Sequence, residues 1–221
     1  MRFRAMTYAT RFSYLLDKAR LLAQARGGLK PPYSGADRLP PLFFFTDPRR
    51  TPHPEDIAAH LPEGCGVVYR HFGEAHAPQR ARLLRRIADD NGLTLLIGED
   101  AALAAEIGAN GVHLAERSLS RAAVLRSVMP DAVLTIACHD AAALPALSED
   151  GFDAAFVSPV FASRSASAQG VPALGLKGVQ AMTAQTGLPL YGLGGITCDT
   201  ITQLERSGLA GVAAVDAFRL D

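Results

Sequence analysis

Two adjacent glycines close an apolar run in "LPLYGLGGIT" (188–197), and the residues after them suit the start of a helix. Glycine lets the backbone approach a ligand and adopt φ > 0 at little cost, and N–H groups at such a turn make an anion site. Gly194 and Gly195 are therefore candidates for holding a phosphate-like group, although a tight strand-to-helix turn would use the same residues. His139 follows another apolar run in "VLTIACHD" (133–140). Imidazole titrates near neutral pH, as proton shuttling requires; the alternative is a helix-entry histidine bonded to backbone. Cys138 beside it suggests a thiolate nucleophile, but no third group orients the pair. Arg70 offers a planar fork for a ligand carboxylate, or a salt bridge at the same end of the molecule with Glu99. Ser158 follows the apolar run 154–157, and the Ser/Ala-rich "ASRSASAQG" (162–170) beyond it, which contains Arg164, reads as a lid. His113 lies inside "GVHL" (111–114), where a structural role competes with ligand contact. Asp216 follows the last apolar run, and its carboxylate would repel a phosphate placed close by.

Apart from His113, which lies within one, these residues follow short apolar runs, at 42–46, 66–69, 94–97, 111–114, 133–137, 154–157, 188–193 and 211–215. Helical patterns lie between them, near 54–61, 76–91, 100–107, 119–128, 140–149, 175–186 and 199–206. Continuous apolar strands alternating with helices imply a parallel sheet buried on both faces. Eight such units predict an α/β fold, a (β/α)₈ TIM barrel, with an open doubly wound sheet as the alternative. In a barrel the residues at the carboxyl ends of the strands form the site, and the loops after strands seven and eight commonly bind phosphate.

Two ends depart from the repeat. Only six residues follow the last strand, which predicts a truncated last helix. At the other end "RFSYLLDKARLLAQAR" (11–26) puts Phe12, Leu15, Leu16, Ala19, Leu22 and Ala23 on one face. That stripe must be buried against something, and the groove left by the missing helix is its simplest destination. Residues 1–41 are thus expected to be a helix and linker packed on a barrel of residues 42–221.

Composition narrows the partners. With 22 basic and 22 acidic residues among 221 the net charge is zero, so nothing global steers the chain to nucleic acid or an acidic membrane. The first 50 residues hold ten Lys and Arg against three acidic residues, which a solvated amphipathic helix explains. Three distant cysteines, Cys65, Cys138 and Cys198, suit a reducing compartment and no disulfide scaffold. No apolar run approaches the ~20 residues that span a bilayer, and cytoplasm is the expected compartment. A homo-oligomer stays open.

"GANGVHLAE", "ACHD", "VSPVF", "LYGLGGIT" and "GVAAV", in this order over about residues 42 to 218, resemble the thiamine phosphate synthase / TenI family. The resemblance implies a TIM barrel of the thiamine pathway that handles a small phosphorylated heterocycle, thiazole phosphate, with its phosphate at Gly194–Gly195. Synthases of the family couple it to a pyrimidine pyrophosphate with Mg²⁺. TenI-type members isomerise a thiazole carboxylate phosphate without metal, and their catalytic His corresponds to His139. Several family positions differ here. The Gln-x-Arg-x-Lys after the second strand is Val68, Arg70 and Phe72, so only the Arg is kept. The Asn-Asp pair after the third strand is Gly98–Glu99, the second metal Asp is Ser118, and the lysine of the pyrophosphate loop falls at Ala166, two residues from Arg164. The phosphate-binding Ser after the eighth strand is Asp216. A pyrophosphate leaving group needs charge compensation. These losses therefore favour a TenI-like, metal-independent isomerase or binder over a synthase, and Mg²⁺ is expected only if the protein is an active synthase. Catalytic His139 and Arg70 are expected, with Gly194, Gly195, Ser158, Arg164, Glu99, His113 and Asp216 around the substrate. A non-catalytic binding or regulatory protein is the third reading.

Overall fold

Phe, Val, Ile and Leu fill the apolar runs without alternation, and the strands they form are covered on both sides. In the computed structural model, which describes residues 6–26, 39–149, 151–163 and 170–220, the strands are β1 (Leu42–Phe45), β2 (Gly66–Tyr69), β3 (Thr94–Gly98), β4 (Gly111–Leu114), β5 (Val133–Cys138), β6 (Ala154–Val157), β7 (Leu190–Leu193) and β8 (Gly211–Ala214). All pair in parallel with their sequence neighbours, and β1 pairs with β8, Phe43 opposite Ala213, to close the barrel. Every residue of β1, β2, β4, β6 and β8 is buried. The barrel is the expected one, and the open sheet is excluded.

Side chains on alternate strand positions fill the interior. Phe43, Phe45, Phe156 and Tyr191 form an aromatic plug, with Phe43 and Phe156 edge to face at 5.3 Å and Phe43 and Tyr191 at 5.6 Å. The other face of each strand packs under the outer helices: α2 (Pro54–Ala58), α3 (Ala77–Asn91), α4 (Ala101–Glu106), α5 (Ala122–Val128), α6 (Leu144–Glu149) and α7 (Gly175–Thr183). The helix expected over 199–206 is instead a single 3₁₀ turn, Ile201–Leu204; Arg206 takes φ 62°, a left-handed value that ends any helical run. After β8 the described residues make another 3₁₀ turn, Asp216–Phe218.

Helix α1 (Tyr8–Ala25) starts at Thr7, whose hydroxyl accepts from the Thr10 N–H. Its buried face is Phe12, Leu15, Leu16, Ala19 and Leu22. It lies against β8, β1 and the 201–204 turn. Phe12 meets Phe218 edge to face at 5.2 Å, and Phe218 lies 5.4 Å from Phe44 of β1. Arg11 donates to the Arg219 carbonyl and Arg26 to that of Gly187 at 2.8 Å, so polar bonds mark both ends of the helix. No described helix is long and apolar enough to cross a membrane.

Candidate active site

Closure of the barrel gathers residues from distant strands at its carboxyl end. A small pocket, partly open to solvent, is lined there by Arg50, Arg70, Ser158, Gly194, Gly195 and Asp216 among others. Five of these were expected from the sequence; Arg50 was not.

Gly194 and Gly195 have φ values of 99° and 67°. A Cβ on Gly195 would stand 2.6 Å from the Phe161 Cβ and 2.7 Å from the Ala162 carbonyl, so only glycine fits. The Gly194 carbonyl accepts from the Phe161 N–H at 3.0 Å, and that of Gly195 from the Thr200 hydroxyl at 2.8 Å. Neither glycine N–H takes part in these bonds. The pair is thus a tight turn that also carries two N–H groups at the pocket wall.

Arg70 leaves β2 on the interior side. Its Nε donates to the Thr46 carbonyl at 2.9 Å, and its guanidinium lies between the rings of Phe45 and Phe72, 5.2 Å and 5.5 Å from their centres. Its Nη2 is buried without a hydrogen-bond partner. Burial pulls its pKa down to about 10, so it remains a cation at neutral pH. The Arg70–Glu99 bridge considered above is not formed. Asp216 is paired with Arg50: its Oδ2 accepts from Arg50 Nη1 at 3.3 Å. Arg50 Nη2 in turn donates to Asp47 Oδ2 at 3.1 Å. Burial would raise the Asp47 carboxyl, but the backbone N–H groups of Arg49 and Arg50 and the Arg50 charge outweigh it and hold it below its usual range. The signal for Arg50 was present in "TDPRR" (46–50), where Asp and Arg three apart share one turn after a strand.

His139 is exposed at the rim and joins the pocket through Ser158. Its Nδ1 lies 3.1 Å from both the carbonyl oxygen and the hydroxyl of Ser158. A carbonyl only accepts, so its bond places the ring proton on Nδ1 and leaves Nε2 as the basic nitrogen. Cys138 is buried, donates from Sγ to the Asp140 carbonyl at 3.2 Å, and is pushed up to about 11 by burial, then by Glu116. It is a thiol at neutral pH and supplies no nucleophile.

His113 points into the barrel interior below the pocket. Its ring packs edge-on against Phe45 at 5.0 Å and Phe156 at 5.3 Å, and Nδ1 lies 3.0 Å from the Thr135 hydroxyl. Burial, with the Arg70 charge adding to it, lowers its pKa to about 3, so it is neutral. It is not among the pocket-lining residues.

Glu99, with φ 65°, faces away from Arg70 toward the segment after β4. One carboxylate oxygen accepts from the Ala115 N–H and the other from the Ser118 hydroxyl at 2.7 Å. Arg121 and Arg117 stand 3.5 Å and 3.8 Å from that second oxygen. Mg²⁺ demands several hard oxygen donors in near-octahedral array. Gly98 has no side-chain donor, Ser118 is bonded to Glu99, and Glu99 already has two cations beside it, so this donor set does not fit Mg²⁺. Among the described residues no three His, Cys, Asp or Glu side chains gather as a metal site. Arg164 lies outside the described residues.

Relatives share this arrangement of strands. The family model described as thiamine monophosphate synthase matches residues 42–218. The thiamine-phosphate synthase of Lactococcus lactis subsp. cremoris is 28% identical over 167 residues, covering 73% of this chain and 76% of that protein. That of Laribacter hongkongensis is 30% identical over 168 residues, covering 72% and 76%. Among solved structures, the thiamine phosphate pyrophosphorylase from Pyrococcus furiosus superimposes with a TM-score of 0.71 at 18% identity, over 82% of this chain and 88% of that one, a likeness of fold. With the family model spanning every strand from β1 to β8 and the turn after it, the chain belongs to the thiamine monophosphate synthase family.

Proposed function

We propose that the protein is a TenI-like member of its family, which binds a thiazole phosphate without metal and isomerises it with His139 as acid and base. The observation that carries this reading is the contrast between two groups at the barrel mouth. Glu99 and Ser118 are bonded to each other beneath two arginines, whereas His139 is oriented by Ser158 with Nε2 left open. An isomerisation that moves one proton within its substrate needs one group that takes the proton up and returns it at another atom. An imidazole whose ring proton sits on Nδ1 can do both through Nε2. Arg70, with Nη2 unpartnered, supplies a fixed positive charge for the anionic end of the substrate. No cofactor is needed.

The test is isomerisation of a thiazole carboxylate phosphate in the presence of EDTA. His139→Asn should lower kcat by about 100-fold or more while leaving KM nearly unchanged. Unimpaired turnover by that variant would remove His139 from the mechanism.

A second reading, a synthase with substituted ligands, is favoured by the names of the relatives, which are synthases. It requires Mg²⁺-dependent formation of thiamine phosphate from pyrimidine pyrophosphate and thiazole phosphate, and that product would reverse the order of the two readings. Binding of thiazole phosphate with no turnover in either assay would leave a ligand-binding member of the family.

A further inference from the structure

Arg50 is the charged group of the pocket that neither the motifs nor the family resemblance singles out. It is held between two carboxylates, and the two contacts differ in kind. Asp47 is fixed in its turn: Oδ1 accepts the N–H groups of Arg49 and Arg50 at 3.0 Å and 3.1 Å, while Oδ2 takes Arg50 Nη2. Asp216 stands on a three-residue turn with its side chain 42% exposed, and the Arg50 contact is the one side-chain bond found for its carboxylate among the described residues. The Nη1 edge of Arg50 is therefore the exchangeable one. Of the charged groups lining the pocket, Arg50 and Arg70 are positive and Asp216 negative. An anion entering beside Gly194 and Gly195 finds the cations Arg50 and Arg70 and the carboxylate of Asp216 in the walls of the same pocket.

We propose that Arg50 is an anion-binding residue of this pocket and that Asp216 is its built-in competitor. An anion reaches Nη1 only by displacing the Asp216 carboxylate. A doubly charged group is penalised most while that carboxylate stays in place, because like charges a few ångströms apart repel. Asp216 thus sets the charge selectivity of the site, and it does so through Arg50. The identity of the natural ligand rests on the thiazole phosphate reading above; the competition applies to any tetrahedral oxyanion.

Sulfate, a dianion at all working pH values, is the probe. It is titrated into ¹⁵N-labelled protein at constant ionic strength, following the amide resonances of Gly194 and Gly195. Asp216→Ser should bind sulfate roughly tenfold tighter than the unsubstituted protein. Arg50→Gln should cancel that gain, so that Asp216→Ser in an Arg50→Gln background tightens binding by less than about threefold. Arg50→Lys keeps the charge but not the fork; should Arg50→Gln not fold, Lys in the Asp216→Ser background must weaken sulfate several-fold. No tightening in Asp216→Ser, the full gain persisting without Arg50, or no loss with Lys would each overturn the assignment. Thiazole phosphate is titrated into the same proteins. Sulfate following the expected pattern while thiazole phosphate fails to bind would overturn the functional reading alone, and the converse would overturn the roles of Arg50 and Asp216 alone.

Discussion

His113 shows how surroundings decide what a residue type does. The sequence offers a histidine near a candidate site; the barrel wraps it in Phe45, Phe156 and Thr135 and keeps it neutral. Its folded pKa is lowered to about 3, against about 6.5 in an unfolded chain. Between those values the unfolded chain carries a proton that the folded one does not. The stability this histidine permits is therefore full above about pH 6.5 and falls as pH drops, by about 2 kcal/mol at pH 5. His113→Asn should be less stable at pH 7 yet lose about 2 kcal/mol less between pH 7 and pH 5, read by urea unfolding at both pH values. Equal losses in the two proteins would mean that His113 titrates freely when folded. Gly195 makes the opposite case, a position legible from the sequence because its reason is steric. Gly195→Ala puts a methyl 2.6 Å from the Phe161 Cβ at φ 67°, and it should lower the melting temperature and weaken sulfate at the pocket together. The Arg50–Asp216 and Glu99–Ser118 contacts were not legible, because which side chains meet depends on loops after different strands.

At the scale of elements most of the fold could be read ahead. Strand positions followed from apolar runs bounded by glycine and polar residues, and β2, β4 and β6 begin and end where the runs do. The turns after β7 and β8 were less legible, since 3₁₀ and α patterns differ little over four residues and the packing of α1 decides what space is left. That packing makes a prediction. Phe12 is fully buried against Phe218, so Phe12→Ala removes a large apolar side chain and leaves a cavity beside β1 and β8. The cost should be about 3 kcal/mol or more, or about 6–12 °C in melting temperature for a chain of this size. Phe218→Ala should cost a similar amount, and the double substitution should cost less than the sum because the two rings touch. Deleting residues 1–30 should lower the melting temperature further still. A truncated protein that melts with the full chain would show that α1 is not part of the barrel's core.

Over the whole molecule the barrel divides labour: an aromatic plug fills the interior, α1 covers the β8–β1 seam, and the charged candidates stand at the carboxyl end. This distribution bears on metal. A divalent cation at that end would have to compete with Arg50 for the carboxylate of Asp216 and with Arg117 and Arg121 for that of Glu99. Nor does restoring a side-chain donor at position 98 come free. A Cβ on Gly98 would stand 3.2 Å from both the Arg70 Cγ and the Tyr69 carbonyl, so an asparagine there presses on the arginine that the pocket needs. We expect the melting temperature to be the same in millimolar MgCl₂ and in EDTA. A site occupied at 100 times its Kd would add about 2.7 kcal/mol, which is about 5–11 °C for a protein of this length. Such a rise, lost again in Glu99→Gln, would show that Glu99 exchanges Ser118 and its arginines for a metal ion, and the case for metal-free chemistry would fall with it. Gly98→Asn with Ser118→Asp should likewise gain no Mg²⁺-dependent rise, and should weaken sulfate binding in the pocket because Arg70 is displaced.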